Sequence, residues 1–167
     1  MTDLVAPPRE QFLTEDAIRG GMDLLFFINT RHLRRADEKL AALGLGRAHH
    51  RVLYFVARKP DLSVSELLAL LAVTKQSLGR ITKDLAAGGF VETNIGVRDR
   101  RQRLLRLTPE GAALEHQLFQ DLRDNVARAY AASGANAVSG FWIFAQHLIG
   151  ENGREHFAAV QRLQPLA

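Results

Sequence analysis

Apolar residues along this chain recur mostly at helical spacing. The clearest instance lies between Thr74 and Gly89, where Leu78, Ile81 and Leu85 fall at i, i+3 and i+7. At about 100° per residue they form one inward stripe of an amphipathic helix. Gln76, Arg80 and Lys83 then project within an arc of roughly 60° on the opposite side. Upstream, Ile18, Met22, Leu25, Phe26, Ile28, Leu33 and Leu40 keep the same period up to Gly44 and Gly46, which predicts one long helix over 14–44, with Gly20-Gly21 a place for it to fray or kink. Arg47 to Arg58 reads as a second helix with Val52, Leu53, Phe55 and Val56 inside, stopped by Pro60. Ser63-Val64-Ser65-Glu66 is a capping box that opens a helix containing Leu67, Leu68, Leu70 and Leu71. A short link, Ala72-Val73, separates it from Thr74, the cap of the next helix.

After Gly88-Gly89 the period drops from helical to two. Phe90 to Asn94 reads as a β segment, Ile95 to Asp99 as a turn, and Arg101 to Thr108 as a return strand in which Leu105 and Leu107 alternate with Arg106. The result is a hairpin with an arginine-rich tip. Thr108-Pro109-Glu110 starts another helix, with a capping hydroxyl, proline at the first position and an acid at the positive end of the dipole. It runs to about Ala132, breaks at Gly134, and is followed by a helix through Val138, Phe141, Trp142, Phe144, Ala145, Leu148 and Ile149. A short last helix is expected over Arg154 to Leu163, with Phe157, Val160 and Leu163 inside. Residues 1–13, with Pro7 and Pro8, read as a mobile arm.

Two tightly joined helices followed by a hairpin make a winged helix-turn-helix. The expected fold is therefore mainly α with a small β wing, divided into an arm (1–13), an N-terminal dimerisation helix (14–44), the winged helix-turn-helix (45–108) and C-terminal dimerisation helices (109–167). Dimerisation is expected because Leu25, Phe26, Phe27, Phe141, Trp142 and Phe144 are more apolar surface than a domain of this size leaves to water. The alternative is that these helices pack back on their own domain.

Composition narrows the function. With 167 residues, 47% of them hydrophobic and 24% charged, the chain fits one soluble domain, and no apolar run reaches the ~18 residues of a membrane span. The N-terminus is neither a secretory nor a transit signal, so the cytoplasm is expected. The absence of cysteine excludes disulfides, thiolate zinc sites and thiol redox sensing in this chain. The six histidines include no i, i+4 pair, so no metal or other cofactor is expected. No Ser-His-Asp order or glycine-rich phosphate loop is present either, and an enzyme is not expected. The formal net charge of +4 is concentrated: between Lys75 and Arg106 lie Lys75, Arg80, Lys83, Arg98, Arg100, Arg101, Arg103 and Arg106 against Asp84, Glu92 and Asp99. That cluster is either a footprint for a polyanion or a solvated surface.

Three stretches resemble the MarR family of bacterial transcription regulators: Leu43 to Arg58 (LGLGRAHHRVLYFVAR), Ser63 to Val91 (SVSELLALLAVTKQSLGRITKDLAAGGFV) and Asp99 to Gly111 (DRRQRLLRLTPEG). The last is the most specific, an Asp-x-Arg wing tip followed by a strand and T-P-E-G. The resemblance implies a homodimer on palindromic double-stranded DNA, acting as a repressor. It also implies DNA contacts from Thr74, Lys75, Gln76, Ser77 and Arg80. Gln76 and Arg80 point at base edges, while Lys75, Ser77 and Lys83 suit phosphates. On the wing, Arg101, flanked by Arg100 and Arg103, matches the arginine that enters a minor groove, and Asp99 is expected to orient it by a charge-assisted bond. Ser63 and Ser65 are either phosphate donors or pure helix caps.

Relatives often take a small aromatic or phenolic effector between the dimer helices and the winged domain. The corresponding residues are Phe26, Phe27, Thr30, Arg31, His49 and His50, a set suited to a carboxylate or phenolate. Successive helix residues point about 100° apart, so His49 and His50 cannot both face one pocket and one is expected to be exposed. The competing functional reading is an architectural or protein-interaction module without operator specificity. Gln76 among the cations argues against it, since non-specific binders need charge more than amide readout.

Overall fold

In the computed structural model, which describes residues 4–96 and 99–162, the order is α1 (Glu15–Arg31), α2 (Arg34–Ala42), α3 (Arg47–Arg58), β1 (Leu62–Ser63), α4 (Val64–Leu71), α5 (Lys75–Ala87), β2 (Val91–Ile95), β3 (Arg103–Leu107), α6 (Pro109–Leu148) and α7 (Gly150–Gln161). Arg98 and Leu163, used in the sequence argument, lie outside the described residues.

The sequence predicts one helix over 14–44, and the structure corrects this to two. α1 passes unbroken through Gly20-Gly21 and ends at Arg31. Near that end the Thr30 hydroxyl donates to the carbonyls of Phe26 and Phe27 at 3.0 and 3.2 Å, a side-chain bond that competes with the helix ladder. Past the break, α2 turns Ala36 and Leu40 into the core with no exposed area, whereas α1 contributes no buried residue. Within the expected arm, Arg9–Gln11 form one 3-10 turn.

The helix starts follow their caps. The Ser63 hydroxyl accepts from the Glu66 amide at 3.2 Å, and the Glu66 carboxylate accepts from the Ser63 amide at 2.9 Å and the Ser63 hydroxyl at 2.7 Å. Partial burial pushes the Glu66 carboxyl up, but bonds from Lys59 and from the hydroxyl and amide of Ser63 outweigh it and bring its pKa down to about 2. Thr74 and Thr108 cap α5 and α6 through Ser77 and Gly111. Gly89, at φ 75°, takes the left-handed conformation that ends the segment after α5.

The wing strands pair antiparallel with Val91 opposite Leu107 and Ile95 opposite Arg103. β1, too short to leave a periodic signal in the sequence, adds to the other edge of β3 with Leu62 opposite Leu105. Leu53, Leu62, Leu67, Leu78, Leu85 and Leu105, each no more than 1% exposed, meet between α3, α4, α5 and the sheet.

α6 divides at Gly134, whose φ of 77° and ψ of 166° are non-helical. Leu114 and Leu118 of its first half are buried in the winged domain. The second half folds back, so that the Trp142 indole N–H donates to the Tyr130 hydroxyl at 2.9 Å. α7 is tied to α3 by the Arg58 guanidinium, which donates to the Val160 carbonyl at 3.1 Å.

One buried carboxyl stands out. Glu115 of α6 is 4% exposed, and burial raises its pKa against a smaller opposing effect of His116. An acid whose folded pKa is raised contributes a penalty that is absent below the unfolded value and grows as pH rises through the folded value. Glu115→Gln should therefore match the wild type in urea midpoint near pH 4.5 and exceed it increasingly toward neutral pH. A constant difference across that range would mean that Glu115 keeps the same pKa folded as unfolded.

Candidate nucleic-acid interface and the neighbouring cleft

The α5 surface is set by its own period. Leu78, Ile81 and Leu85 are buried, and Thr74, Lys75, Gln76, Ser77, Arg80 and Lys83 are all exposed. Thr74 and Ser77 are partly committed to each other, the Thr74 hydroxyl donating to Ser77 Oγ at 2.9 Å and accepting from the Ser77 amide at 3.2 Å. Among the described residues, Lys75, Arg80 and Lys83 form no ion pair, which leaves their charge to act on solvent or a partner.

On the wing, Asp99, Arg100, Arg101 and Arg103 are exposed. Asp99 is placed differently from expectation: its Oδ1 accepts from the main-chain N–H of Arg101 at 2.9 Å, and no bond to the guanidinium is formed. A short acceptor two residues upstream closes an Asx turn more readily than it reaches the end of an arginine side chain. The carbonyl of Asp99 also accepts from the Gln102 amide at 3.0 Å, and the Gly96 amide donates to the Gln102 carbonyl at 3.1 Å. Asp99 thus shapes the tip and leaves the arginine side chains free of it. Arg106, part of the same basic run, is instead held by Asp61 through Nε at 3.2 Å and through Nη2, so it stitches β3 to the turn before β1.

Of the two readings of Ser63, the helix cap is the one its geometry carries. Ser63 is 8% exposed and its hydroxyl is used in both directions by Glu66, beside a carboxylate that would repel phosphate. Ser65, one turn into α4, is exposed.

Behind this surface, between the α1–α2 elbow, α3 and α6, opens a cleft of about 870 Å³. Arg47, His50, Arg51 and Tyr54 reach it from α3 at i, i+3, i+4 and i+7, and Phe119, Leu122, Arg123 and Val126 reach it from α6 at the same spacing. Its walls are aromatic and aliphatic, its charged groups are basic, and no Asp or Glu lines it.

From the first helix and elbow the lining is Asn29, His32 and Leu33, not Phe26, Phe27, Thr30 and Arg31, which are exposed and lie off the wall. The chain turns at His32 and so presents i, i+3 and i+4 from Asn29 to the cleft. The α3 periodicity of basic and aromatic residues was the signal that would have found Arg51 and Tyr54.

The two histidines separate as the 100° step requires, but neither is exposed. His50 is 7% exposed on the cleft, where burial lowers its pKa, with Asp37 opposing and His32 assisting. Burial likewise lowers the pKa of His32, whose Nδ1 lies 3.2 Å from the Asn125 amide nitrogen. His49 faces away from the cleft: its Nδ1 accepts from the Gly46 amide at 3.0 Å, making it the cap of α3. Arg47 is clamped by Asp37, with Nε 3.0 Å from both carboxylate oxygens and Nη2 2.7 Å from Oδ2, and it also donates to Asn29 Oδ1 at 3.3 Å. Hydrogen bonding and attraction by Asp37 raise the Arg47 pKa. Its guanidinium is a fixed cation on the cleft wall.

The sequence model of the MarR family matches residues 43–102, from the end of α2 to the wing tip. The HTH-type transcriptional regulator PetP of Rhodobacter capsulatus is 39% identical over 159 residues, covering 94% of this chain and 96% of its own length. Among solved structures, a mutant E. coli MarR complexed with operator DNA superposes with a TM-score of 0.61 at 26% identity, covering 83% of this chain and 99% of that one. A MarR-family regulator from Silicibacter pomeroyi gives a TM-score of 0.66 at 24% identity over 82% of this chain and 93% of its own. Agreement in sequence along nearly the whole of one relative, and in the order of helices and wing with the others, means that the chain belongs to the MarR family of transcription regulators.

Proposed function

We propose that the chain is a homodimer that reads a palindromic DNA site with α5 and the wing, represses transcription there, and is released by a small aromatic or phenolic anion in the cleft. The observation that carries the DNA reading is the exposed arc of Gln76, Arg80 and Lys83, free of ion pairs among the described residues, above a buried leucine-isoleucine stripe. E. coli MarR and S. aureus MepR, both of this fold, have been solved on DNA, which supports the same partner here.

Dimerisation is supported by α1, which buries nothing within the chain and leaves Phe26 and Phe27 64% and 60% exposed, and by the exposed run Phe141 to Phe144. A second copy is the partner whose surface matches this one by symmetry. Sedimentation should find the dimer at micromolar concentration, and a monomer there would remove the basis for palindromic reading. The effector class follows from the cleft, whose basic groups and aromatic walls fit a ring bearing a carboxylate or phenolate.

Selection from random DNA tests the whole reading. It should recover a palindrome with half-sites about one helical turn apart. On that fragment, Gln76→Ala and Arg80→Ala should relax sequence preference by about 1 to 3 kcal/mol per base contact. Lys83→Ala should weaken all fragments alike and reduce the salt slope by about one. Recovery of no consensus sequence would favour the architectural reading, and an Arg80→Ala protein with unchanged preference would remove α5 as the reader.

A further inference from the structure

His49 occupies the third position of α3, with its side chain 16% exposed. Because Nδ1 accepts the Gly46 amide, the neutral ring carries its proton on Nε2. That nitrogen is buried with no hydrogen-bond partner among the described residues, and the Asp84 carboxylate of α5 stands 3.5 Å away. The separation is beyond good hydrogen-bond geometry by about half an ångström. A shift of α5 against α3 that closed this gap would satisfy a donor that burial otherwise penalises, which gives α5 a second position to take.

Both ends of this contact matter. Asp84 follows Lys83 and lies one turn beyond Arg80, so a small displacement of α5 is carried directly to the two cations that face outward. His49 is flanked in the same turn by Arg47 and His50, which line the cleft. Arg47 is also anchored to α2 through Asp37. We propose that His49 is a positioning residue for DNA reading: it holds α5 through Asp84 and makes that position sensitive to what occupies the cleft. The proposal rests on the reading of α5 and the cleft given above. A ligand that draws on Arg47 or packs against His50 bears on the turn that carries His49, and it alters DNA affinity by as much as it discriminates between the two positions of α5.

Asparagine separates the two jobs of the ring, since its amide oxygen stands about where Nδ1 does and nothing replaces Nε2. The experiment uses the full chain, the DNA fragment recovered by selection and an unrelated fragment of equal length. His49→Asn and Asp84→Ala should each lower the ratio of the two affinities about tenfold, and the double variant no further. The thermal midpoint of His49→Asn should stay at the wild-type value, and His49→Gln, whose amide nitrogen approximates Nε2, should restore the ratio.

In the free protein, His49→Asn should speed hydrogen exchange of the α5 amides around Asp84. His50→Gln should alter that exchange when His49 is present and not in the His49→Asn background. Wild-type affinity ratio and exchange in His49→Asn, or single effects that multiply in the double variant, would overturn the proposal. A wild-type chain that selects no sequence would defeat the DNA reading itself. The exchange measurements would still decide whether His49 holds α5.

Discussion

Replacing Gly111 with alanine should destabilise the protein by about 3 kcal/mol, near the upper end of what overpacking costs. A Cβ at this position would stand 1.9 Å from the Phe90 carbonyl oxygen and 2.8 Å from its carbon. That carbonyl is not free to retreat, because it accepts from the Thr108 amide at 3.1 Å. Thr108 is itself fixed, its hydroxyl donating to the Gly89 carbonyl at 2.6 Å and accepting from the Gly111 amide at 3.0 Å. The clash therefore falls on the joint between the end of the recognition segment, the wing and α6. Urea unfolding monitored by circular dichroism reads the loss. Gly79→Ala is the control: nothing lies within 4 Å of its would-be Cβ, and a helix-interior glycine exchanged for alanine should gain about 1 kcal/mol. A Gly111→Ala protein as stable as wild type would mean that α6 starts farther from Phe90 than described.

Leu78→Ala should cost about 2 to 5 kcal/mol, the range for removing a fully buried leucine. Leu78 has no exposed area and sits on the inner stripe of α5. Its loss leaves a cavity beneath the helix that carries Gln76 and Arg80, so operator preference should fall together with the unfolding midpoint. The coupling distinguishes this variant from Arg80→Ala, which should lose preference at unchanged stability. Leu78→Met, which nearly conserves volume, should recover most of both.

Local chemistry made much of the fold legible. Ser63 with Glu66, Thr74, and Thr108-Pro109 each announce a helix start within four residues, and each caps the helix it was expected to cap. The T-P-E-G signature also acquires a physical meaning, since its glycine is the residue over which the Phe90 carbonyl passes.

What escaped the sequence depends on partners distant in the chain. The break at His32-Leu33 reflects burial of Ala36 and Leu40 in a core assembled elsewhere, and β1 exists only because Leu62 and Ser63 find β3. Ala72, at φ 50°, turns the chain between α4 and α5 in a conformation that alanine rarely adopts, and composition gives no sign of it.

The candidate interface followed from periodicity along α5 alone, whereas the cleft required the relative rotation of α1, α3 and α6. That is why the exposed arc of α5 is legible in the sequence and the elbow wall is not.

Gly134 has a mechanical consequence. Its φ of 77° and ψ of 166° lie where other residues are strained, so this position sets the angle between the half of α6 rooted in the winged domain and the apolar half beyond it. The rooted half is a lever about 37 Å long at 1.5 Å per residue. A swing of about 10° at the pivot would carry its far end some 6 Å, roughly two base-pair steps along a duplex. In the homodimer proposed above, this one backbone conformation would act as the calibration screw for the span between two DNA-reading heads.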